Sequence, residues 1–346
     1  MTTPASEHRA ANAYRHSVQA APGLTLAVVV AAVAYGISVV TPGPVGAVPV
    51  AVVLGLAIGQ VVPRAPVEKG IGVATKRILR LGIILLGARL SLAEVAQLGL
   101  GSVGLVVATL VVGFATAWFV GRAVGVSAEL SALLGIGSAV CGNTAIMASA
   151  PIIKAPSRDV SLAVATITLC GTVALLVYPW IGRALGMSDV GFGIWAGLAV
   201  QDTSQVVATG AAFSDEARDV ATVVKLVRNT SLAAILPLLA WWWQRSGRSA
   251  EASGGWRKAF PLFVLGFLAL AGLRSVGVID EQLGNVLAEA ASIAIVIAVA
   301  GLGLSVTRDD IKQASGRSVA VGALAAAVLG LVALGAALTV GPLIGP

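Results

Sequence analysis

Residues Ser102–Val120 read SVGLVVATLVVGFATAWFV, nineteen in a row without a charged side chain. A helix of that length rises about 1.5 Å per residue and so reaches about 28 Å, close to the thickness of a bilayer's hydrocarbon core. Ten further apolar stretches flank it, over about 23–40, 44–62, 73–92, 131–151, 160–181, 191–211, 220–243, 258–277, 286–305 and 318–342. Their continuous apolarity excludes a transmembrane β-barrel, whose strands alternate and are only about 9–11 residues long. The sequence therefore predicts an all-α polytopic membrane protein with about 10–11 transmembrane helices.

Composition agrees. Hydrophobic residues make up 57% of the 346 and charged residues only 11%, with a mean hydropathy of +0.93. A soluble domain carries roughly 25% charged residues, so a soluble enzyme and a disordered chain are both excluded. Residues 1–22 form a polar lead, and 23–346 a single transmembrane domain. The first apolar stretch is longer than a signal-peptide core and lacks a clean cleavage site, so it reads as a retained span.

The net charge of +7 reflects basic loops and not nucleic-acid binding. With strict alternation and a cytoplasmic N-terminus, sixteen Lys and Arg fall on the cytoplasmic side. Only Lys154, Arg158, Arg218 and Arg274 fall outside. This predicts a multi-pass protein of a bacterial inner membrane with its N-terminus in the cytoplasm. Trp241, Trp242 and Trp243 read as an interfacial anchor.

Two internal likenesses point to repeats. Leu81–Leu92 resembles Ile295–Val306, with Gly87, Leu90 and Ser91 matching Gly301, Leu304 and Ser305. The two segments are seven spans apart, which predicts an inverted repeat, a frequent plan in secondary transporters. Val140–Ser149 (VCGNTAIMAS) also aligns with Val200–Thr209 (VQDTSQVVAT), sixty residues on. Strict alternation makes those two parallel, so either the likeness is convergent or one segment is re-entrant.

Both stretches place small and polar residues where a span should be apolar. Gly135, Gly137 and Gly142 weaken a helix, Pro151 removes a donor, and Ser138, Asn143 and Thr144 supply hydrogen-bonding groups. A break there would present helix-end N–H groups suited to an anion; close packing through small residues is the other reading. Gln201-Asp202-Thr203-Ser204-Gln205 is five polar residues at mid-span. An Asp at a helix centre costs about 2.5–3.5 kcal/mol on insertion scales, so Asp202 must face protein, a cavity or a cation. Lys225, Arg228 and Asn229 share one helical face. Arg offers a planar fork for carboxylate, sulfate or phosphate oxygens. Asp202 is their expected ion-pair partner, and snorkelling to the outer end is the alternative. Arg89 is a lone charge with either a snorkelling or a pore role.

Enzyme signatures are weak. His8 and His16 lie in the polar lead, so Cys141 has no intramembrane base, and no metal-ligand spacing or phosphate-binding loop occurs. Cys141 and Cys170 lie in apolar segments, so no disulfide framework is indicated.

The stretches GSAVCGNTAIMASAPIIKA (Gly137–Ala155) and GIWAGLAVQDTSQVVATGAAFSDEARDVATVVKLVRN (Gly193–Asn229) resemble the YeiH family of bacterial membrane proteins, described as sulfate exporters. The likeness covers about residues 24–342. The family often has Ser-Ala-Ile after Cys-Gly-x, where this chain has Asn143-Thr144-Ala145-Ile146. The resemblance implies inverted halves with broken helices and a secondary transporter for a small anion such as sulfate, sulfite or a sulfonate. Combined with the residues, it predicts substrate contacts from Ser138, Asn143, Thr144, Thr203, Ser204, Lys225 and Arg228. Asp202 would hold those cations or bind a coupling H⁺ or Na⁺; no other cofactor and no metal is expected. A cation/proton antiporter using Asp202 is the first alternative, and a membrane enzyme or scaffold the second. The oligomeric state, a homo-oligomer included, stays open.

Overall fold

The computed structural model describes residues 4–40, 47–246, 263–306 and 316–344, and these contain helices, turns and no strand. Part of the basic link after Arg245, with Arg248, Arg257 and Lys258, lies outside the described residues, as do Arg308 and Lys312. The chain is an all-α polytopic membrane protein. Among the described residues, six helices are long and apolar enough to cross a membrane, and four shorter apolar helices accompany them.

The chain divides into two compact units: Met1–Gly82 with Glu289–Thr307, and Ile83–Ala288 with Arg308–Pro346. The first unit holds α1 (Pro4–Val40), α2 (Ala47–Gly59), α3 (Arg64–Val73), a π-helical turn (Ala74–Ile78) leading into α4 (Leu79–Leu86), and the end of α14 (Glu281–Ser305). The polar lead is therefore, over its described residues, continuous with the first span. Glycine sets the spacing here. A Cβ on Gly23 would lie 1.9 Å from the Val67 carbonyl oxygen, so α1 and α3 meet backbone to backbone. The end of α14 is satisfied by Gln60 Nε2 donating to Val306 O at 2.9 Å and Arg64 Nη1 donating to Ser305 O at 2.8 Å.

The second unit carries α5 (Leu92–Ala123), α6 (Ala128–Ala139), α7 (Asn143–Ser149), α8 (Ser157–Ala184), α9 (Asp189–Ala199), α10 (Thr203–Ala211), α11 (Asp215–Thr230) and α12 (Leu232–Arg245). It also holds α13 (Phe263–Ser275) and α15 (Gly316–Ile344). Ser91 and Glu94 cap α5 reciprocally.

The segments 131–151 and 191–211 do not cross. Each is a re-entrant hairpin. In the first, α6 ends at Ala139 with Val140 as its C-cap, Gly142 turns the chain at φ +58°, and α7 returns beside α6. A Cβ on Gly137 would lie 2.9 Å from Ile146 Cδ1. Ser127 Oγ, at the start of α6, donates to Asp159 Oδ2, at the start of α8, at 2.7 Å. The chain has thus returned to the end it left. In the second hairpin the Phe192 and Phe213 rings stack at 4.0 Å, and Arg183 Nη2 donates to Ala212 O at 2.7 Å. That hairpin starts and finishes where α8 ends.

Between them runs α8, 28 residues long, enough to cross. The hairpins therefore enter from opposite ends, and their tips meet at mid-depth: a Cβ on Gly142 would lie 3.3 Å from the Asp202 backbone nitrogen. The offset of sixty holds at the break itself. Ala139 and Ala199 end the entering helices, and Asn143 and Thr203 begin the returning ones. The two motifs run in opposite directions, which alternation could not give. The other likeness takes different local forms: α4 stops at Leu86, whereas α14 continues to Ser305.

The hairpins also reassign loop charges. Lys154 and Arg158 lie at the same end of this unit as Arg122, not opposite it. Arg183 lies at the other end with Arg89, Arg218 and Arg274, as the Ser275–Leu92 bond and the Arg89–Asp215 contact require. The tryptophans divide too: Trp241 is exposed with Arg245 over its ring, while Trp243 is buried and Trp242 packs on Trp118.

Candidate functional site

The site is the pair of opposed tips, Val140–Thr144 and Val200–Ser204, with α11 behind them. Breaking a helix leaves carbonyls without partners at its C-terminal end. Here two breaks coincide, and both sets of carbonyls turn to the same two side chains. Lys225 Nζ donates to Val140 O at 2.8 Å, to Val200 O at 3.1 Å and to Gln201 O. Three acceptors match the three donors of an ammonium. Arg228 donates through Nε to Ala139 O at 2.5 Å, and through Nη1 to Leu198 O at 2.6 Å and Val200 O at 3.1 Å. Its Nη2 donates to Ser138 O. Both side chains are fully buried. They sit where the negative ends of α6 and α9 converge, a favourable place for cations.

The expected ion pair with Asp202 does not form. Among the described residues no salt bridge joins Asp202 to Lys225 or Arg228; backbone carbonyls hold both. Asp202 instead caps α10: its Oδ1 accepts from Ser204 N at 2.9 Å and from Ser204 Oγ at 2.5 Å. Its other oxygen has no partner among the described residues, and the residue is half-buried. Snorkelling of Lys225 or Arg228 is likewise excluded by their burial.

The first residue of each returning helix is tied to the long helix that follows its hairpin. Asn143 Nδ2 donates to Thr168 Oγ1 at 3.0 Å, and Asn229 Nδ2 donates to Thr203 Oγ1 at 3.2 Å. These pairs are near-equivalents at the same offset, with amide and hydroxyl exchanged. Gln205 Nε2 reaches Thr168 O at 3.0 Å. Thr168 is the residue the sequence reading missed; with Thr166 and Thr172 beside it in an apolar run, nothing singles it out. Ser138, Asn143, Thr203, Ser204, Asp202, Lys225 and Arg228 all gather at the tips. Thr144 lies there too, but is exposed. Several buried polar atoms have no hydrogen-bond partner among the described residues: Ser138 Oγ, Asn143 Oδ1, Gln201 Oε1 and Asn229 Oδ1. Such atoms cost free energy unless something meets them.

Arg89 belongs to a separate network at one end. Its Nε lies 3.2 Å from Asp219 Oδ2 and its Nη1 3.7 Å from Asp215 Oδ2. Arg218, buried, bonds Asp219 Oδ1 at 2.9 Å and Asp215 Oδ1 at 2.8 Å.

With the tips in view, comparison with known proteins is direct. The family described as Conserved hypothetical protein 698 matches residues 22–322. The chain belongs to that family. It is 33% identical over 307 residues to the UPF0324 inner membrane protein YeiH of Escherichia coli K12, covering 86% of this chain and 87% of that one. It is 32% identical over 320 residues to a UPF0324 membrane protein of Bacillus cereus, covering 90% and 92%. A Streptococcus pyogenes UPF0324 membrane protein is 32% identical over 334 residues, covering 92% and 97%. These names give a membrane location and no substrate. No solved structure matches the chain.

Proposed function

We propose that this chain is a secondary transporter of a small oxyanion such as sulfate, sulfite or a sulfonate, working by alternating access across the opposed tips. One observation carries the reading: two cations, Lys225 and Arg228, stand behind the tips with a single carboxylate, Asp202, beside them. The four half-helix ends contribute roughly half a charge each and cancel in pairs. One net positive charge is left at mid-depth for a ligand to meet. Asn143, Thr144 and Thr203 would touch the anion, with Ser138 and Ser204 flanking. Lys225 and Arg228 would act through their field and by holding the tips, since backbone carbonyls occupy their donors.

The open oxygen of Asp202 supports a second reading, a cation/proton antiporter with Asp202 as carrier; in the first reading the same oxygen takes the coupling H⁺ or Na⁺. Neither reading gives the chain an enzymatic step. We place it in a bacterial inner membrane, with the end bearing Arg122, Lys154, Arg158 and Arg245 in the cytoplasm. The link that follows α12 adds Arg248, Arg257 and Lys258 in sequence.

The test is thermal unfolding of detergent-purified protein against sulfate, sulfite, taurine, sulfoacetate, phosphate, chloride and Na⁺. A ligand at a hundred times its Kd stabilises by about 2.7 kcal/mol. One oxyanion should stabilise the native chain and fail to stabilise the Asn143→Ala, Thr203→Val double variant. Stabilisation by Na⁺ or protons alone, lost in Asp202→Asn, would replace the anion reading with the antiporter.

A further inference from the structure

The two hairpins share a fold and a register, and their return arms differ in exposure. On α7 and the turns after it, Thr144, Met147, Pro151 and Lys154 are exposed, Met147 by 60%. These positions are three, four and three residues apart, a single stripe from the tip to the end of the hairpin. Sixty residues on, Ser204 and Val207 are buried, and so is every residue of α10 from Ser204 to Gly210. The return arm of the second hairpin presents no such face.

The exposed stripe begins among groups that cannot face lipid. Asn143 bonds Thr168, the twelfth of the 28 residues of α8, so the tips are near mid-depth. There Thr144 is exposed, and Asn143, Asp202 and Thr203 are half-exposed. A carboxylate facing hydrocarbon at that depth costs about 2.5–3.5 kcal/mol on insertion scales. Unwound backbone at membrane depth is tolerated only within protein or beside water. Lipid is therefore not what covers this face.

The opposite end is closely packed. A Cβ on Gly210 would lie 2.6 Å from Arg218 Cα, so α10 packs directly on α11. The Arg89–Asp219–Arg218–Asp215 network then ties the turn before α5 to the same end of α11.

We infer that the face Thr144–Met147–Pro151–Lys154 lines an aqueous vestibule reaching the tips from the Lys154 end, and that this conformation is open at that end and closed at the Arg218 end. The inference extends the transport reading by naming its access route. Lys154 stands at the mouth, where a cation draws in an anion.

Cysteine accessibility in membrane vesicles tests it. In a full-length background carrying Cys141→Ser and Cys170→Ser, single cysteines replace Thr144, Met147 and Lys154. Val207→Cys serves as the buried counterpart, and Val177→Cys, 43% exposed on α8, as the lipid-facing control. The probe is a charged, membrane-impermeant methanethiosulfonate applied to each side in turn. Positions 144, 147 and 154 should react from the Lys154 side on the order of tenfold faster than 177 and 207, because a hydrated thiolate forms readily and attacks the charged reagent's sulfur, expelling methanesulfinate. If Thr144→Cys and Met147→Cys react only with a lipid-soluble maleimide, the face is lipid-covered and the vestibule does not exist. If Met147→Cys instead forms a spontaneous disulfide dimer, a second copy covers it, and the inference falls equally. The transport reading is scored separately: it requires sulfate, sulfite or taurine to slow labelling at position 144. Labelling that no anion slows would keep the vestibule and sink the substrate assignment. Where the cysteine-free background fails gel filtration, the same labelling is run with Cys141 retained, since its thiol is buried.

Discussion

Val140 and Val200 are the C-caps of helices that enter from opposite ends, and their carbonyl oxygens accept hydrogen bonds from one ammonium, that of Lys225, at 2.8 and 3.1 Å. Two symmetry-related breaks thus share one asymmetric support. The positions of α8 that correspond to Lys225 and Arg228 are Ala165 and Thr168, which carry no charge. Of the two helices, only α11 gives both tips a charged donor.

That dependence sets the first prediction. Arg228→Met would strand carbonyls of both hairpins inside the protein, each costing about 1–3 kcal/mol unless relaxation rescues it. We expect a loss of about 3–5 kcal/mol, the range for breaking a buried charged network. Lys225→Met should cost a similar amount, and the double variant less than the two combined, because they share Val200 O. Denaturant unfolding in detergent reads all three. Unchanged stability in either single variant would show that the cations do not hold the breaks.

Gly142 gives the second. Its φ of +58° with ψ of −123° is a conformation side chains rarely adopt, and an added Cβ would press on Asp202. Gly142→Ala should destabilise by about 1–3 kcal/mol. Gly104→Ala, in the middle of α5 with nothing within 4 Å, should be neutral or stabilising by up to about 1 kcal/mol. Equal effects at the two sites would mean that the tip is not strained by a side chain.

How far the sequence reaches is visible in these same residues. Apolar stretches about twenty residues long give the helices, and the run from Gln201 to Gln205 gives the second break at its true position. The offset of sixty between Val140 and Val200 is plain in sequence. Its meaning is not, since a re-entrant hairpin and a crossing span have the same length and hydropathy. Direction is decided by contacts such as Ser127–Asp159 and Phe192–Phe213, which no local pattern encodes. The partners of Lys225 were misread for a related reason. Charge pairs with charge in a sequence, and the backbone carbonyls of Val140 and Val200 have no letter of their own.

Arg218 and Asp219 carry the third prediction. Both are nearly fully buried, whereas Arg89 is 41% and Asp215 65% exposed. Arg218→Ala leaves a buried carboxylate short of its partner and should cost about 3–5 kcal/mol. Arg89→Ala removes a solvent-screened contact and should cost no more than about 1 kcal/mol. Unfolding of Arg89→Ala, Asp219→Asn and the double variant of the two measures the coupling of Arg89 to Asp219. If Arg89→Ala costs as much as Arg218→Ala, the network is tied together from the α4–α5 turn and not from within α11.

The re-entrant geometry itself makes the last prediction. Strict alternation of eleven spans puts Arg158 on the face opposite Arg122 and Arg183 on the same face as Arg122. The first hairpin, over 131–151, reverses both assignments. Cysteines replacing Arg122, Arg158 and Arg183 one at a time, labelled with an impermeant maleimide in intact cells and in inverted vesicles, separate the alternatives. Positions 122 and 158 should label from one side and 183 from the other. Because α8 crosses once between Arg158 and Arg183, those two must differ in either topology, so the decisive comparison is with Arg122. Labelling of 122 and 183 from a common side would restore a crossing span over 131–151. It would also separate the tips that Lys225 and Arg228 bring together.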